Sequence, residues 1–276
     1  MKLNGRSLKK FWRSTKALAV PVTFLILFVS MLCMISVTYY FAVEKVDSRT
    51  EMLKVSTAKQ ELQSFSQDIV PILWQPGSAC TFEFSDSGGK LNVQPNSNIL
   101  TVAVSGLGIS SVLFNETVGQ VTYELPYSGS AETGVYLIGD GRSIANQTGS
   151  VLTQLGIVNG ESHPEIQLRY RPTVSYVTAG LEADKTVNNI RVYIVNLNAS
   201  QEFGLYGKLP IKATCLNTQI TTTTYTVDST VQNLTLTATL DGNTGQVTIP
   251  IETTASGAII NIQLVESNMQ IARCLR

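Results

Sequence analysis

The chain has 276 residues, of which 43% are hydrophobic and 14% are charged, and its 20 Lys/Arg balance its 20 Asp/Glu. A chain of this length can bury an apolar core without metals or cross-links. Residues 71–276 alone carry 10 Lys/Arg against 15 Asp/Glu, a balance of −5. An acidic surface excludes the electrostatic footprint of a nucleic-acid-binding protein, so we expect no nucleic-acid partner.

The first feature in chain order is an apolar segment without any charged side chain, residues 17–43. The leader before it, residues 1–16, carries six Lys/Arg and no Asp or Glu. A helix over residues 17–43 reaches about 40 Å, more than the roughly 30 Å of bilayer hydrocarbon. The positive-inside rule keeps the leader in the cytoplasm. We therefore predict a single-pass protein of the cell membrane, with membrane lipid as a partner and everything after residue 43 outside.

The junction between the leader and the apolar segment resembles the class III signal of archaeal type IV pilins and related surface-filament proteins. Lys16 and Ala17 stand before the apolar run, and Pro21 lies early in it, as in that family. The resemblance implies cleavage between Ala17 and Leu18 by a prepilin peptidase. Ala17 replaces the commoner Gly, and Val22 stands where many bacterial pilins have Glu. The alternative is an uncleaved signal anchor, since the apolar run is too long for an ordinary secretory signal.

A second helical segment, residues 44–70, follows the predicted span and contains neither Gly nor Pro. Its apolar residues recur at spacings of 3, 4, 3 and 4, which places them on one stripe of a helix: Val55, Ala58, Leu62, Phe65 and Ile69. Pro71 disfavours helix at Val70 and ends the run. We predict one continuous helix through both segments, apolar in its first half and amphipathic in its second.

This layout, a long N-terminal helix before a β-rich head, resembles that of the pilins. In that family the first half of the helix packs in filament cores or waits in the bilayer, and the second half docks on the head. The resemblance implies partners among copies of this chain or other pilin-like subunits, contacted through the helix. The alternative is a membrane stalk that forms a coiled coil, although the stripe is short for one.

The rest of the chain, residues 71–276, has the composition of a β-rich head. Short runs alternate between apolar and polar residues and are separated by turn residues, as in an antiparallel sandwich. The predicted strands are Thr81–Phe84, Leu91–Val93, Ile99–Val104, Val121–Leu125, Ile166–Tyr170, Ile190–Val195, Leu234–Leu240, Val247–Ile251 and Ile260–Leu264. We therefore predict an α+β fold, a long N-terminal helix followed by a sandwich-like head, with a smaller second sheet suggested from about residue 213.

Residues that could carry chemistry are few. His163 is the only histidine and lies in a polar loop, so neither a zinc site nor a histidine-based triad has its partners. The glycine-rich pieces Gly139–Gly141 and Asp241–Gly245 lack the phosphate-binding and EF-hand patterns and are interpreted as turns. Calcium held by separate loops stays an alternative. We expect no enzyme activity and no cofactor.

Three cysteines lie in the part predicted to be outside, where a disulfide can persist. A bridge between Cys215 and Cys274 is our first expectation, because it would tie the last strand to the head. The other pairings involve Cys80, and the alternative is three unpaired, buried thiols. A fourth cysteine, Cys33, falls within the predicted span.

Four N-x-S/T sequons occur in the same outside part, at Asn115, Asn146, Asn198 and Asn233. Each is a candidate glycosylation site. Asn233 is best placed, because it has the parity of Thr235 and lies opposite the apolar face of Leu234 and Leu236.

Two function hypotheses follow from this sequence. The first is a pilin-like structural or adhesion subunit of the cell surface, anchored by its N-terminal helix. The second is a single-pass membrane protein with a β-sandwich ectodomain that binds a ligand or a component of the cell envelope. An exported enzyme is disfavoured because no nucleophile, base or metal cluster is recognisable.

Overall fold

The computed structural model of the chain describes residues 15–106, 108–126, 132–146, 151–160, 162–228 and 233–274. One continuous helix, α1, covers Thr15–Ile69, and a short 3-10 turn, Val70–Ile72, follows it. Pro71 stands in that turn and ends the helix where the sequence predicts. The predicted cleavage junction lies in the first turn of α1. The basic leader lies outside the described residues, except for its last two positions.

Strands fill most of the described part after the helix. The first seven are β1 (Ala79–Phe84), β2 (Lys90–Gly106), β3 (Ile109–Glu124), β4 (Val135–Ile138), β5 (Ala145–Asn146), β6 (Thr153–Asn159) and β7 (Pro164–Tyr170). The next seven are β8 (Thr173–Glu182), β9 (Lys185–Asn196), β10 (Phe203–Tyr206), β11 (Leu209–Val227), β12 (Asn233–Leu240), β13 (Asn243–Pro250) and β14 (Ala258–Arg273).

The strands form two sheets. Sheet A has six strands in the order β1-β11-β14-β9-β8-β5. Sheet B has eight, in the order β13-β12-β2-β3-β7-β6-β4 with β10 added on β2. Neighbouring strands run antiparallel, except that β9 pairs with β14 and β5 with β8 in parallel. The predicted α+β fold with a sandwich-like head is confirmed.

Two apolar clusters join the sheets to one another. The longest strands, β2, β3, β9, β11 and β14, pass through both clusters. Alternating residues keep one face apolar along β2, β3, β9 and β14, whereas β11 contributes apolar residues only near its two ends. The second cluster is built around the hairpin of β12 and β13, whose Leu234, Leu236 and Leu240 are fully buried.

The amphipathic end of α1 belongs to the first cluster. The five residues of the predicted stripe are all buried there, together with side chains from both sheets. Phe65 lies with its ring centroid 5.6 Å from Phe82 and 5.5 Å from Phe84, both on β1. Burying an aliphatic or aromatic side chain of this size contributes about 1.5–3 kcal/mol, so the stripe fixes this end of the helix to the head.

Two expectations for the C-terminal third need correction. The strands after residue 213 do not form a sheet of their own in the described part of the chain. The β12–β13 hairpin pairs with β2 in sheet B, while β14 inserts between β11 and β9 in sheet A. The reason is hydrophobic: the buried faces of these strands complete clusters that earlier strands begin.

The cysteine pairing also differs from the expectation, because all four cysteines are free thiols. Cys215 pairs in register with Met269 on β14, whereas Cys274 lies five residues farther along, beyond the end of that strand. Five residues of strand span about 16 Å, and a disulfide needs Cα atoms within about 7 Å. Cys215 instead packs as a small buried side chain, as the alternative expects, whereas Cys80 and Cys274 are only partly buried.

Candidate functional site: an exposed apolar helix segment and a polar sheet face

The chain divides into two compact units, Met1–Met52 and Leu53–Arg276. In the first unit the described side chains from Pro21 to Val43 are almost all exposed, although most are large and apolar. Phe24, Met34 and Tyr39 each expose about 70% of their surface. The helix is long and apolar enough to cross a membrane, with a mean hydropathy of 2.3 in its most apolar window.

An apolar surface of this extent is far larger than a monomeric soluble protein leaves in contact with water. Helical geometry satisfies the backbone groups internally, as hydrocarbon surroundings require. The exposed segment and the β-rich head together are compatible with a membrane-anchored surface protein. We call residues 21–43 the uncovered segment.

In the second unit, the end of α1 is held to the head by polar contacts as well as by its stripe. The carbonyl of Leu73, just after the helix, accepts hydrogen bonds from the Ser267 hydroxyl and from the Cys215 thiol. The Trp74 and Tyr193 rings meet edge to face at 5.3 Å. Farther up the helix, the Glu61 carboxylate accepts a hydrogen bond from the Ser85 backbone N–H at 3.1 Å. These contacts fix the docked end of the helix at several points.

The four sequon asparagines lie in different environments. Asn115 on β3 and Asn233 at the start of β12 are exposed, and the Asn115 side chain accepts a hydrogen bond from Thr101. Asn146 and Asn198 are half-buried. The Asn146 sequon continues into residues 147 and 148, outside the described residues. Exposure therefore favours Asn115 and Asn233 as acceptors.

The turn predicted at Gly139–Gly141 is held by ion pairs and hydrogen bonds around one buried arginine. We call this arrangement the clamp. Arg171 is almost fully buried, and it donates to the Asp140 carboxylate and, at 2.9 Å, to the Val151 carbonyl. Arg142 donates to both oxygens of the same carboxylate, at 3.1 and 2.7 Å. These two guanidinium groups, Arg142 first, hold the pKa of Asp140 well below its usual range. The turn is therefore fixed by a structural ion network.

The remaining polar candidates do not assemble a metal site. Within the described ranges, no three His, Cys, Asp or Glu side chains lie close enough to hold a metal ion. Asp241 and Gly242 take positive φ values of 52° and 75° and form the hairpin turn between β12 and β13. Cys80 is partly buried, and burial followed by the nearby Asp68 charge raises its thiol pKa, which lowers its reactivity.

A polar face that the sequence analysis missed lies on sheet B, on the side away from the apolar clusters. A cleft of about 470 Å³ lies there, lined mainly by amides and carboxylates from four strands and by the loop before β7: Asn92, Gln94, Gln120, Glu124, Val158, Asn159, Gly160, Ser162, His163, Glu165 and Gln167. A second cleft of about 390 Å³ adjoins it and shares Gln94 and Gln120. The only histidine therefore lies in a polar cleft. We call this surface the polar face.

Gln120 is the centre of the hydrogen-bond network on the polar face. Its side-chain oxygen accepts from Asn98 at 2.8 Å and from Gln167 at 2.5 Å, and its nitrogen donates to Gln94 at 2.7 Å. Nearby, Asn92 donates to Glu124 at 2.7 Å. The face is therefore lined by oriented amide groups that offer donors and acceptors side by side.

The chain matches no protein-family model, and no curated protein or solved structure matches it. The residues themselves, above all those of the uncovered segment and the polar face, are therefore what indicates a function. Alternation within each strand could have indicated the outward polar residues. Their assembly into one surface depends on which strands are neighbours, and no local pattern carries that information.

Proposed function

We propose that this protein is a pilin-like subunit of the cell surface, with structural or adhesive function, held by its N-terminal helix. The observation that carries the proposal is the division of α1 into two halves. Residues 21–43 have no cover, whereas the stripe from Val55 to Ile69 is buried in the head. A helix built this way offers its first half to lipid and, after assembly, to the helices of neighbouring subunits.

The orientation and processing follow from the leader. Six basic residues keep the N-terminus in the cytoplasm and place the head outside. In the proposed pathway a prepilin peptidase cuts between Ala17 and Leu18, and the released helix then packs laterally with other copies or with other pilin-like subunits. Exposed sequons at Asn115 and Asn233 suit a head that is glycosylated outside the membrane.

The test is the N-terminal sequence of the chain purified from its native membrane, determined by mass spectrometry. Processing predicts a mature chain that begins at Leu18. The variant Ala17→Leu, which removes the small residue before the cut, should keep its leader. The matched variant Ala19→Leu makes the same change two residues later and should be cleaved normally. A native chain that still carries Lys16 would exclude processing of this type.

The second candidate is a single-pass membrane protein whose head binds a ligand or a component of the cell envelope. The polar face favours it, because its oriented amide groups offer hydrogen-bond donors and acceptors to a ligand. The same mass measurement separates the two candidates, since this one predicts an intact leader and no filament.

A further inference from the structure

An unbroken row of outward positions crosses six strands of the polar face. The register aligns Gly204, Asn92, Thr122, Gln167, Gly156 and Tyr136, in this order, from β10 to β4. Their chain neighbours on the long strands, such as Leu91, Val93 and Leu168, point into the apolar core. Strands lie about 4.8 Å apart, so the row extends over about 24 Å. We call it the cross-strand row.

The middle of the row contains a buried hydroxyl without a partner. Thr122 is only 2% exposed, and its Oγ1 has no hydrogen-bond partner. It lies on the outward face between Asn92 and Gln167, whose amides line the cleft. Because this oxygen has almost no accessible surface and Thr122 lines neither cleft, a ligand would meet the surrounding amides and not this hydroxyl.

Two glycines of the cross-strand row, Gly204 and Gly156, leave room for the side chains beside them. A Cβ added at Gly204 would overlap the Asn92 side-chain oxygen, and one added at Gly156 would come within 3.2 Å of the Tyr136 ring. Tyr136 thus lies flat enough to cover Gly156 at one end of the face. At the other end, Tyr206 pairs with Lys90 on the adjacent row and is 68% exposed. The face is therefore a band of amides between two tyrosines.

The charge and composition of the residues that line the two clefts exclude some classes of ligand. Glu124 and Glu165 line the larger cleft and Glu202 the smaller one, while Lys90 is paired with Glu124 at 3.6 Å. Carboxylates repel nucleic acid and other anions. Apolar side chains are few in the lining, which does not suit a lipid tail.

We propose that the polar face binds a neutral glycan chain. Adjacent donors and acceptors of Asn and Gln amides match the neighbouring hydroxyls of a sugar ring, and the carboxylates accept from further hydroxyls. Tyrosine rings supply amphipathic surface for the C–H faces of the sugars. An extended row of this kind takes several sugar units. This inference concerns the head alone and does not rest on filament assembly.

The experiment measures binding of three neutral hexasaccharides, an α-glucan, a β-glucan and a mannan, to the full chain in phospholipid nanodiscs by calorimetry. Hexalysine and an anionic heparin hexasaccharide are run in parallel. Phospholipid nanodiscs avoid the sugar headgroups of common detergents. We expect at least one neutral hexasaccharide to bind and the anionic one not to bind.

Matched variants locate the site. Gln167→Ala in the cross-strand row should weaken binding roughly tenfold, the effect of losing one to two hydrogen bonds. Tyr136→Ala should weaken it similarly. Gln246→Ala makes the same amide-to-methyl change at an exposed position on β13, outside both clefts, and should bind like the native chain.

Three outcomes would overturn the proposal: no neutral hexasaccharide binds, hexalysine alone binds, or Gln246→Ala weakens binding as much as Gln167→Ala does. None of these outcomes affects N-terminal processing. Failure of the glycan proposal is therefore distinguishable from failure of the pilin-like one.

Discussion

The two halves of α1 are alike in backbone and rich in apolar side chains, yet their surroundings are opposite. Phe24 in the uncovered segment exposes 72% of its surface, whereas Phe65 in the docked half exposes none. The docked half alternates its stripe with charged residues, while the uncovered segment is apolar on every side. A helix that is apolar all round suits apolar surroundings on every side, whereas an amphipathic helix buries one stripe only. The first half of α1 therefore leaves apolar surface exposed on every side, which is compatible with a membrane anchor.

The largest expected effect comes from truncating one phenylalanine in each half. Phe65→Ala should lower the free energy of unfolding of the head by about 3–5 kcal/mol, because it removes contacts with Phe82 and Phe84 and leaves a cavity. Phe24→Ala should change it by less than about 0.5 kcal/mol. Chemical denaturation of the full chain in nanodiscs, followed by Trp74 fluorescence, measures both. Equal destabilisation by the two variants would show that Phe24 and Phe65 are not in opposite surroundings.

The next largest effect concerns contacts within the head that do not involve α1. Asp140→Asn leaves the buried Arg171 without its counter-charge and should cost about 3 kcal/mol. Arg142→Ala removes only the exposed partner and should cost clearly less than Asp140→Asn does. Denaturation midpoints of the two variants check this order. If Asp140→Asn is neutral, the clamp does not stabilise the head.

The same carboxylate gives a pH dependence with a definite sign. The pKa of Asp140 is lowered in the folded head, so its contribution is complete above the ordinary aspartate range and declines as the pH falls below about 4. Between about pH 5 and about pH 3, the free energy of unfolding of the native head should therefore fall by more than that of the Asp140→Asn variant. Denaturation curves across this range supply the measurement. Parallel losses in both chains would contradict the assignment.

A smaller effect concerns two serine hydroxyls that each donate to a backbone carbonyl. Ser267→Ala removes a donor to Leu73 at the docked end and should cost about 1 kcal/mol of head stability. Ser30→Ala removes the bond to Leu27 within the uncovered segment, present at 2.8 Å, and should leave the head unchanged. Thermal unfolding of both variants tests the difference. An effect of Ser30→Ala on the head would show that the two halves are coupled.

Much of the fold could be predicted from local patterns, and the exceptions have physical reasons. The spacing from Val55 to Ile69 identified the docked stripe, and the alternation around Asp241–Gly245 identified the β12–β13 hairpin. Strand β2 looked like two short strands, because Pro95 interrupts it. The structure accommodates Pro95 in a register shift between Gln94 and Asn98, so the strand continues.

Features that depend on pairing between distant strands could not be predicted from local sequence patterns. Strand β11 was missed because its threonine-rich second half is exposed and shows no apolar alternation. The parallel pairing of β9 with β14 joins residues more than 70 positions apart. The cross-strand row depends on five strand pairings, which explains why Asn92, Gln167 and Tyr136 gave no signal in the sequence. Only the processing junction, the sequons and the cysteines were visible as candidate sites.

The most direct test of the account uses the native thiol of Cys33, in the middle of the uncovered segment. Membranes that contain the chain are treated with a water-soluble maleimide, and the rate of labelling is determined by peptide mass spectrometry. The control is Val46→Cys, because Val46 is 61% exposed on the same helix beyond the apolar run. A water-soluble reagent does not enter hydrocarbon, so we expect Cys33 to remain unlabelled while residue 46 reacts. Labelling of Cys33 at the rate of residue 46 would contradict the claim that this half of the helix is covered by a membrane or by other helices.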